Sequence, residues 1–167
     1  MLSRIIFLDI DGVVNTLMIY DKPFKGGLGH ISRDGFYFDL CNAEDERVSN
    51  TQAVMWLNKL CKDTSARIVI SSTWRMGSSL KELTAILRNS GLHKDIIIEG
   101  CTPNLGTKRG KEIQHYLQYH YPDGVDSYVI LDDDSDMDGC MERLVQCNCY
   151  RGFGYPEYME AIKILNN

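Results

Sequence analysis

A short apolar run that ends in two carboxylates constrains this chain more than any other feature. Residues 5–8 are continuously apolar, as a strand buried on both faces requires. Asp9 and Asp11 follow at once, and Gly12 allows the chain to turn sharply. Open α/β sheets keep their ligand sites at the carboxyl ends of the strands. Two carboxylates this close repel each other unless a cation or shared proton lies between them. The run therefore predicts either a functional site or a plain acidic turn.

A second apolar run also ends in carboxylates. Residues 127–131 lead directly into Asp132, Asp133 and Asp134, and two more aspartates follow before residue 139. One acidic strand end is compatible with a turn, but two in one small domain indicate a shared hard cation with oxygen ligands. Mg²⁺ is the cation that such ligands favour. A calcium-binding EF-hand loop is the competing interpretation, and its glycine and terminal glutamate are not at the required spacing.

The remaining segments alternate between strand-like and helix-like patterns. Ser49 and Ser79 each open a capping box. A third helix follows the basic cluster at residues 107–111 and has His120 on its buried side, and Pro156 begins the last helix. This alternation predicts an α/β fold with a doubly wound, mostly parallel, Rossmann-like sheet of five strands and helices on both faces. The predicted strands are residues 5–8, 67–71, 96–98, 127–131 and 144–147.

Hydroxyl and basic side chains follow two of these elements. Ser71 and Ser72 end the second strand, where they could hold phosphate oxygens or simply cap the next helix. Arg75 could bind an anion through two hydrogen bonds or make a surface ion pair. Lys108 and Arg109 lie at a helix N-terminus, where their charge opposes the helix dipole. This unfavourable interaction with the dipole indicates that the basic residues serve a function, such as directing a cation at an anion.

Length and charge limit the classes of function. The 167 residues suit a single domain, 1–167, in which the irregular, aromatic-containing segment 16–47 is a candidate flap or lid. A net charge of −5 argues against a broadly basic nucleic-acid surface, although a local basic site is compatible with it.

The six cysteines and the absence of targeting signals point to a cytoplasmic protein. No C-x-x-C motif is present, so free thiols are expected and structural zinc is not. No apolar run approaches the roughly 20 residues that cross a bilayer. The N-terminus has no secretory signal pattern. The sequence therefore predicts no contact with a membrane.

The order of these parts resembles the haloacid dehalogenase (HAD) superfamily. D-x-D-G, S-S-T, a basic helix start and D-D occur in sequence between residues 5 and 136. The segments DIDGVVN, ISSTWR, RGKEI and VILDDDSD are similar to the small HAD domains of Swiss army knife RNA repair proteins. The resemblance implies a HAD-type sheet and a substrate that is a phosphomonoester, such as a nucleotide or a nucleic-acid end. No large cap domain fits between the motifs, so a bulky substrate could enter.

The resemblance also implies roles for the acidic residues. Asp9 would be the nucleophile that forms an aspartyl-phosphate, and Asp11 would be the general acid and then the base. Asp133 would bind Mg²⁺ together with Asp9 and the backbone carbonyl of Asp11, with Asp132 as its near neighbour. The usual acidic pair is a run of three here, so Asp134 competes for the same role.

The other motif residues would bind the phosphoryl group. Ser71 matches the hydroxyl that holds it, with Ser72 as the alternative. Lys108 would orient the nucleophile and neutralise phosphate charge, and Arg109 takes this place if the motif is shifted by one residue. Together these roles imply a Mg²⁺-dependent phosphatase. The alternatives are a non-catalytic module that binds phosphate or a partner, and a phosphotransferase that works within a larger assembly.

Overall fold

A parallel sheet of five strands forms the centre of the protein in a computed structural model that describes residues 3–16 and 51–167. All neighbouring strands are parallel, which confirms the predicted α/β fold. The strands are β1 (Arg4–Leu8), β2 (Arg67–Ile70), β3 (Ile98–Cys101), β4 (Ser127–Asp132) and β5 (Leu144–Gln146).

Helices cover both faces of this sheet. One core layer holds Leu57, Leu83 and Ala161, each from a different helix, and the other layer holds Ile113 and Phe7. The described helices are α1 (Thr51–Thr64), α2 (Leu80–Asn89), α3 (Arg109–His120) and α4 (Tyr155–Leu165), with short 3₁₀ helices at Thr73–Met76 and Met141–Arg143. Helix α3 therefore lies on the face opposite to α1, α2 and α4.

The strand order β3-β2-β1-β4-β5 places β1 in the middle of the sheet. Residues 5–8 are fully buried because β2 and β4 flank β1 on its edges and helices cover both of its faces. This position explains why the first strand is continuously apolar. The chain winds outward from β1 to β3 and then returns to place β4 on the other side of β1. The switch point of the topology lies between β1 and β4.

Two local predictions were wrong. The third strand was predicted at residues 96–98 and occupies Ile98–Cys101. Ile96 instead bonds back to the His93 carbonyl in a turn. Because β3 is an edge strand whose residues are all half-buried, its apolar content does not mark its position. His120 was predicted to be buried, but it is exposed and its ring stacks on Tyr116 with centroids 4.2 Å apart.

The predicted start of α2 is confirmed. Ser79 and Glu82 exchange both bonds of a capping box. The capping box predicted at Ser49 lies outside the described residues, and so does the candidate lid 16–47 apart from Thr16. No helix within the described ranges has the length and apolar character needed to cross a membrane.

Candidate active site

The two acidic strand ends lie side by side at the switch point. Leu8 pairs in register with Leu131, and the Asp9 amide donates to the Leu131 carbonyl at 2.9 Å. Asp9 thus lies next to Asp132, the last residue of β4. Open α/β sheets bind their ligands in the crevice at such a switch point, so the fold itself places both carboxylates at a candidate site.

Three carboxylates converge in this crevice. Oxygens of Asp9, Asp132 and Asp133 all lie within 4.8 Å of one another, and this is the group of possible metal ligands found among the described residues. Asp9 is 6% exposed and Asp132 is fully buried. Burial, reinforced by the charge of Asp9, raises the pKa of both Asp132 and Asp133. Asp134, the third member of the acidic run, is exposed and is not part of the cluster.

Gly12 allows Asp133 to reach this cluster. Its φ of +71° lies in the left-handed region that side chains disfavour. A Cβ atom at this position would lie only 2.2 Å from Cγ of Asp133. The glycine after the second aspartate therefore serves the turn and also leaves the space that the Asp133 carboxylate occupies.

Arg109 lies between two of the carboxylates. Its Nη1 atom is 2.9 Å from Asp9 Oδ2 and 2.5 Å from Asp132 Oδ2, and its side chain is 14% exposed. Burial lowers the pKa of Arg109 and the two carboxylates raise it, with a net upward shift, so the side chain is a permanent cation. Lys108 instead forms an ion pair with Asp138 at 2.9 Å, and its side chain is 59% exposed.

Asp11 is not part of the cluster, and two hydrogen bonds hold its carboxylate. Asn15 Nδ2 donates to Oδ1 and Trp74 Nε1 donates to Oδ2, each at 2.7 Å. Burial raises the pKa of Asp11, and the nearby charge of Asp9 adds to the rise, while the two hydrogen bonds oppose it. A carboxyl group with a raised pKa beside a second carboxylate suits proton transfer.

The two candidate serines differ in their surroundings. Both are fully buried. Ser72 Oγ accepts a bond from the Trp74 amide and caps the 3₁₀ helix, which is the structural role considered from the sequence. Ser71 Oγ has no hydrogen-bond partner among the described residues, and neither does Thr102 Oγ1, which directly follows the adjacent strand β3. Since buried hydroxyls are normally bonded, the missing partner makes Ser71 the stronger candidate of the two serines for binding a phosphate oxygen.

Arg75 is held by protein groups. Its guanidinium donates to the Glu112 carboxylate and, at 2.6 Å, to the Ser72 carbonyl. The side chains of Arg75 and Glu112 are 8% and 4% exposed, so this is a buried ion pair and not the surface pair considered from the sequence. The contact of Arg75 with a phosphate stays a prediction. Glu112 also accepts a bond from the Leu105 amide at 2.8 Å. Glu112 thus connects α3 to the segments that follow β2 and β3.

Replacing Glu112 by alanine is expected to lower the free energy of unfolding by about 3 to 5 kcal/mol. The change would leave the buried Arg75 charge without its carboxylate and the Leu105 amide without an acceptor. Chemical denaturation measures the loss, with Lys111→Ala as the matched control because Lys111 is exposed on the same helix. Equal stability of the two variants would show that the ion pair does not hold these segments together.

A family model described as the HAD domain in Swiss Army Knife RNA repair proteins matches residues 5–157. The chain belongs to this family. The match spans β1 to the first turn of α4 and includes every acidic residue of the cluster. No curated protein and no solved structure matches the chain. The resemblance identified from the four motifs is therefore confirmed at the level of the family, and with it membership in a family of HAD-type phosphatases.

Proposed function

We propose that the protein is a Mg²⁺-dependent phosphomonoester hydrolase that acts through an aspartyl-phosphate at Asp9. The observation that carries this proposal is the convergence of Asp9, Asp132 and Asp133 at the switch point of the sheet. Arg109 supplies a fixed cation beside Asp9, and Ser71, whose buried hydroxyl has no partner among the described residues, follows β2 at the same end of the sheet. These are the groups that phosphoryl transfer requires, since its catalysis is mainly positioning and charge stabilisation.

The acidic cluster fits a divalent cation. Among the described residues, three carboxylates converge and Arg109 pairs with two of them, so the cluster carries an excess of negative charge. Burial and the charge of Asp9 raise the pKa of Asp132 and Asp133. Carboxylate oxygens are the ligands that Mg²⁺ prefers. Asp9, Asp132 and Asp133 would hold the ion, together with the Asp11 carbonyl if it follows the family pattern. When bound, Mg²⁺ supplies charge neutralisation at the phosphoryl oxygens.

The remaining steps belong to the side chains of the chain. An Asp9 oxygen attacks phosphorus, forming an O–P bond as the ester O–P bond breaks, and Asp11 gives a proton to the leaving oxygen. Asp11 then accepts a proton from the water that hydrolyses the aspartyl-phosphate. Ser71 donates to a phosphoryl oxygen. We assign the role of the cation to Arg109 rather than to Lys108, because Arg109 contacts Asp9 and Lys108 pairs with Asp138.

We propose nucleotides or nucleic-acid end phosphates as the substrate class. The support is the family description, which names RNA repair proteins. The cytoplasm is the compartment that we propose, because the five described cysteines are free thiols. A non-catalytic phosphate-binding module and a phosphotransferase within a larger assembly are the alternatives, and the following experiment separates the module from an enzyme.

The test is hydrolysis of an aryl phosphate with Mg²⁺ and with a chelator. We expect turnover only with Mg²⁺, a loss of about 10²-fold or more in Asp133→Asn, and near-normal activity in Asp134→Asn. The two variants make the same chemical change at neighbouring positions, and only Asp133 belongs to the cluster. If the wild type shows no turnover but binds aluminium fluoride or vanadate with Mg²⁺, the binding module replaces the hydrolase. Failure to bind these phosphoryl mimics would refute both.

A further inference from the structure

Trp74 reaches from β2's carboxyl end to the second aspartate of the D-x-D-G motif. Its indole Nε1 donates to Asp11 Oδ2 at 2.7 Å, across 63 positions of sequence. Tryptophan is only a donor, and its N–H direction is fixed by the ring. The position of the ring therefore determines where one oxygen of Asp11 lies.

The opposite oxygen of Asp11 is held as well. Asn15 Nδ2 donates to Oδ1 at 2.7 Å. Asn15 is itself fixed by a tight turn in which its amide donates to the Ile10 carbonyl at 2.8 Å and its carbonyl accepts from the Gly12 amide at 2.7 Å. With one donor on each oxygen, the plane of the Asp11 carboxyl group is determined. Each oxygen keeps a second lone pair for other partners.

The indole ring is itself immobilised by its surroundings. Trp74 is half-buried and packs against the core layer beneath α1 and α2. It lies in the 3₁₀ helix that Ser72 caps, directly after the candidate phosphate-binding Ser71. A functional group is held accurately when its supporting residues are locked by packing and hydrogen bonds. Trp74 meets this requirement and links the phosphate-binding strand end to Asp11.

We infer that Trp74, opposed by Asn15, is a positioning residue that directs the Asp11 carboxyl group at the oxygen of the leaving group. This inference rests on the proposed function, because it takes Asp11 as the proton donor. Trp74 contacts neither the substrate nor the reacting atoms in this scheme. Its indole N–H holds the proton donor Asp11 in place, and its ring packs against the core.

The first test measures kcat/KM of Trp74→Phe for a series of phosphate esters. This constant includes phosphoryl transfer to Asp9 but not the later hydrolysis of the aspartyl-phosphate. We expect a loss of about 10- to 100-fold for alkyl esters, whose leaving oxygen needs a proton, and a loss below about 3-fold for esters of acidic phenols. Asp11→Ala should show the same trend more steeply. Trp56→Phe is the matched control, because Trp56 is the other tryptophan and is also half-buried.

The outcomes separate this inference from the proposed function. Suppose that Trp74→Phe loses the same factor of kcat/KM for all esters, while the loss in Asp11→Ala grows steeply as the leaving group becomes less acidic. This result overturns the positioning role and leaves the proposed hydrolase intact. If the loss of kcat/KM does not depend on the leaving group in either variant, Asp11 is not the proton donor. The role proposed for Asp11 and this inference then both fail. If the loss of kcat/KM grows in both variants as the leaving group becomes less acidic, the inference is supported, provided that Trp56→Phe keeps its kcat/KM for all the esters.

A second measurement requires no activity and no folded Trp74→Phe variant. The two tryptophans give two indole N–H signals in a proton–nitrogen correlation spectrum. In Asp11→Ala we expect the Trp74 signal to move upfield and the Trp56 signal to stay, since only Trp74 loses an acceptor. The Trp56→Phe spectrum assigns the signals by removing one of them. An unmoved Trp74 signal would show that the hydrogen bond is absent in solution and would overturn the inference.

Discussion

Asp9→Asn is expected to reduce the hydrolysis of an aryl phosphate by about 10⁴-fold or more. The amide keeps the shape of the side chain but lacks the anionic oxygen that attacks phosphorus. It also removes one of the three converging carboxylates and one partner of Arg109. The loss should therefore exceed that of any variant that removes only a metal ligand. Steady-state kinetics with Mg²⁺ at saturating substrate measures it.

A covalent intermediate distinguishes a nucleophile from a mere ligand. Rapid acid quenching followed by intact-mass analysis should show one added phosphoryl group in the wild type and none in Asp9→Asn. Asp126→Asn is the matched control, because Asp126 is an exposed aspartate that pairs with Arg4 at the opposite end of the sheet. If Asp9→Asn retained the phosphoryl adduct, another residue would be the nucleophile and the proposed mechanism would be wrong.

The strands that carry the acidic cluster were readable from the sequence because they are central. β1 and β4 are each hydrogen-bonded on both edges and covered on both faces, so nearly every position must be apolar until the strand ends. The first carboxylate then marks the end of the strand within one residue. Asp9 follows Leu8, and Asp132 is the last residue of β4. Because β1 and β4 pair in parallel, their carboxyl ends lie at the same edge of the sheet.

Edges and surfaces carry a weaker signal. β3 has a neighbouring strand on one side only, and its residues are half-buried. Its sequence can therefore include Glu99 and Gly100, and no continuous apolar run marks the strand. Glu99 instead accepts from Arg67 on the neighbouring strand at 2.8 Å. His120 falls at a helical spacing from Ile113 that predicts burial. It lies in the last turn of α3, however, and the buried residues of this helix end at Tyr116.

Contacts between distant segments could not be read from local patterns. Trp74 and Asp11 are 63 positions apart, and Arg75 and Glu112 are 37 apart. Each residue has an ordinary local explanation, such as core packing or an exposed charge. Glu112 carried one usable sign, since it lies four residues before the buried Tyr116 and therefore falls on the inward side of α3. A charged residue at a core position requires a partner, but the sequence does not say which.

The choice between Lys108 and Arg109 illustrates the same limit. Both are basic and adjacent at the start of α3, and composition cannot separate them. Lys108 has an extended backbone and Arg109 begins the helix, so the two side chains leave the chain in different directions. Arg109 is the first residue of the helix and faces Asp9, while Lys108 is the N-cap and pairs with Asp138.

Arg109→Ala is expected to lower kcat/KM by about 10²- to 10³-fold, whereas Lys108→Ala stays close to the wild type. Removing Arg109 takes a fixed positive charge away from the nucleophile and from the phosphoryl group that approaches it. Arg109→Lys keeps the charge but replaces the rigid guanidinium, whose Nη1 contacts both carboxylates, by an ammonium on a flexible chain, so its activity should lie between those of the wild type and the alanine variant. The reverse order, with Lys108→Ala inactive, would place the catalytic cation one residue earlier.

Stability without Mg²⁺ separates the structural part of this loss from the catalytic part. Arg109→Ala leaves the buried carboxylates of Asp9 and Asp132 without their common cation, so the chelated variant should lose about 3 to 5 kcal/mol of unfolding free energy. Mg²⁺ should restore much of that stability, because it binds the same carboxylates in the folded state only. Activity should not return with it, since Mg²⁺ already takes part in the proposed reaction and does not supply the additional positive charge of Arg109 beside the nucleophile. If saturating Mg²⁺ restored both stability and turnover, Arg109 would be a structural substitute for the ion and not the cation of the reaction.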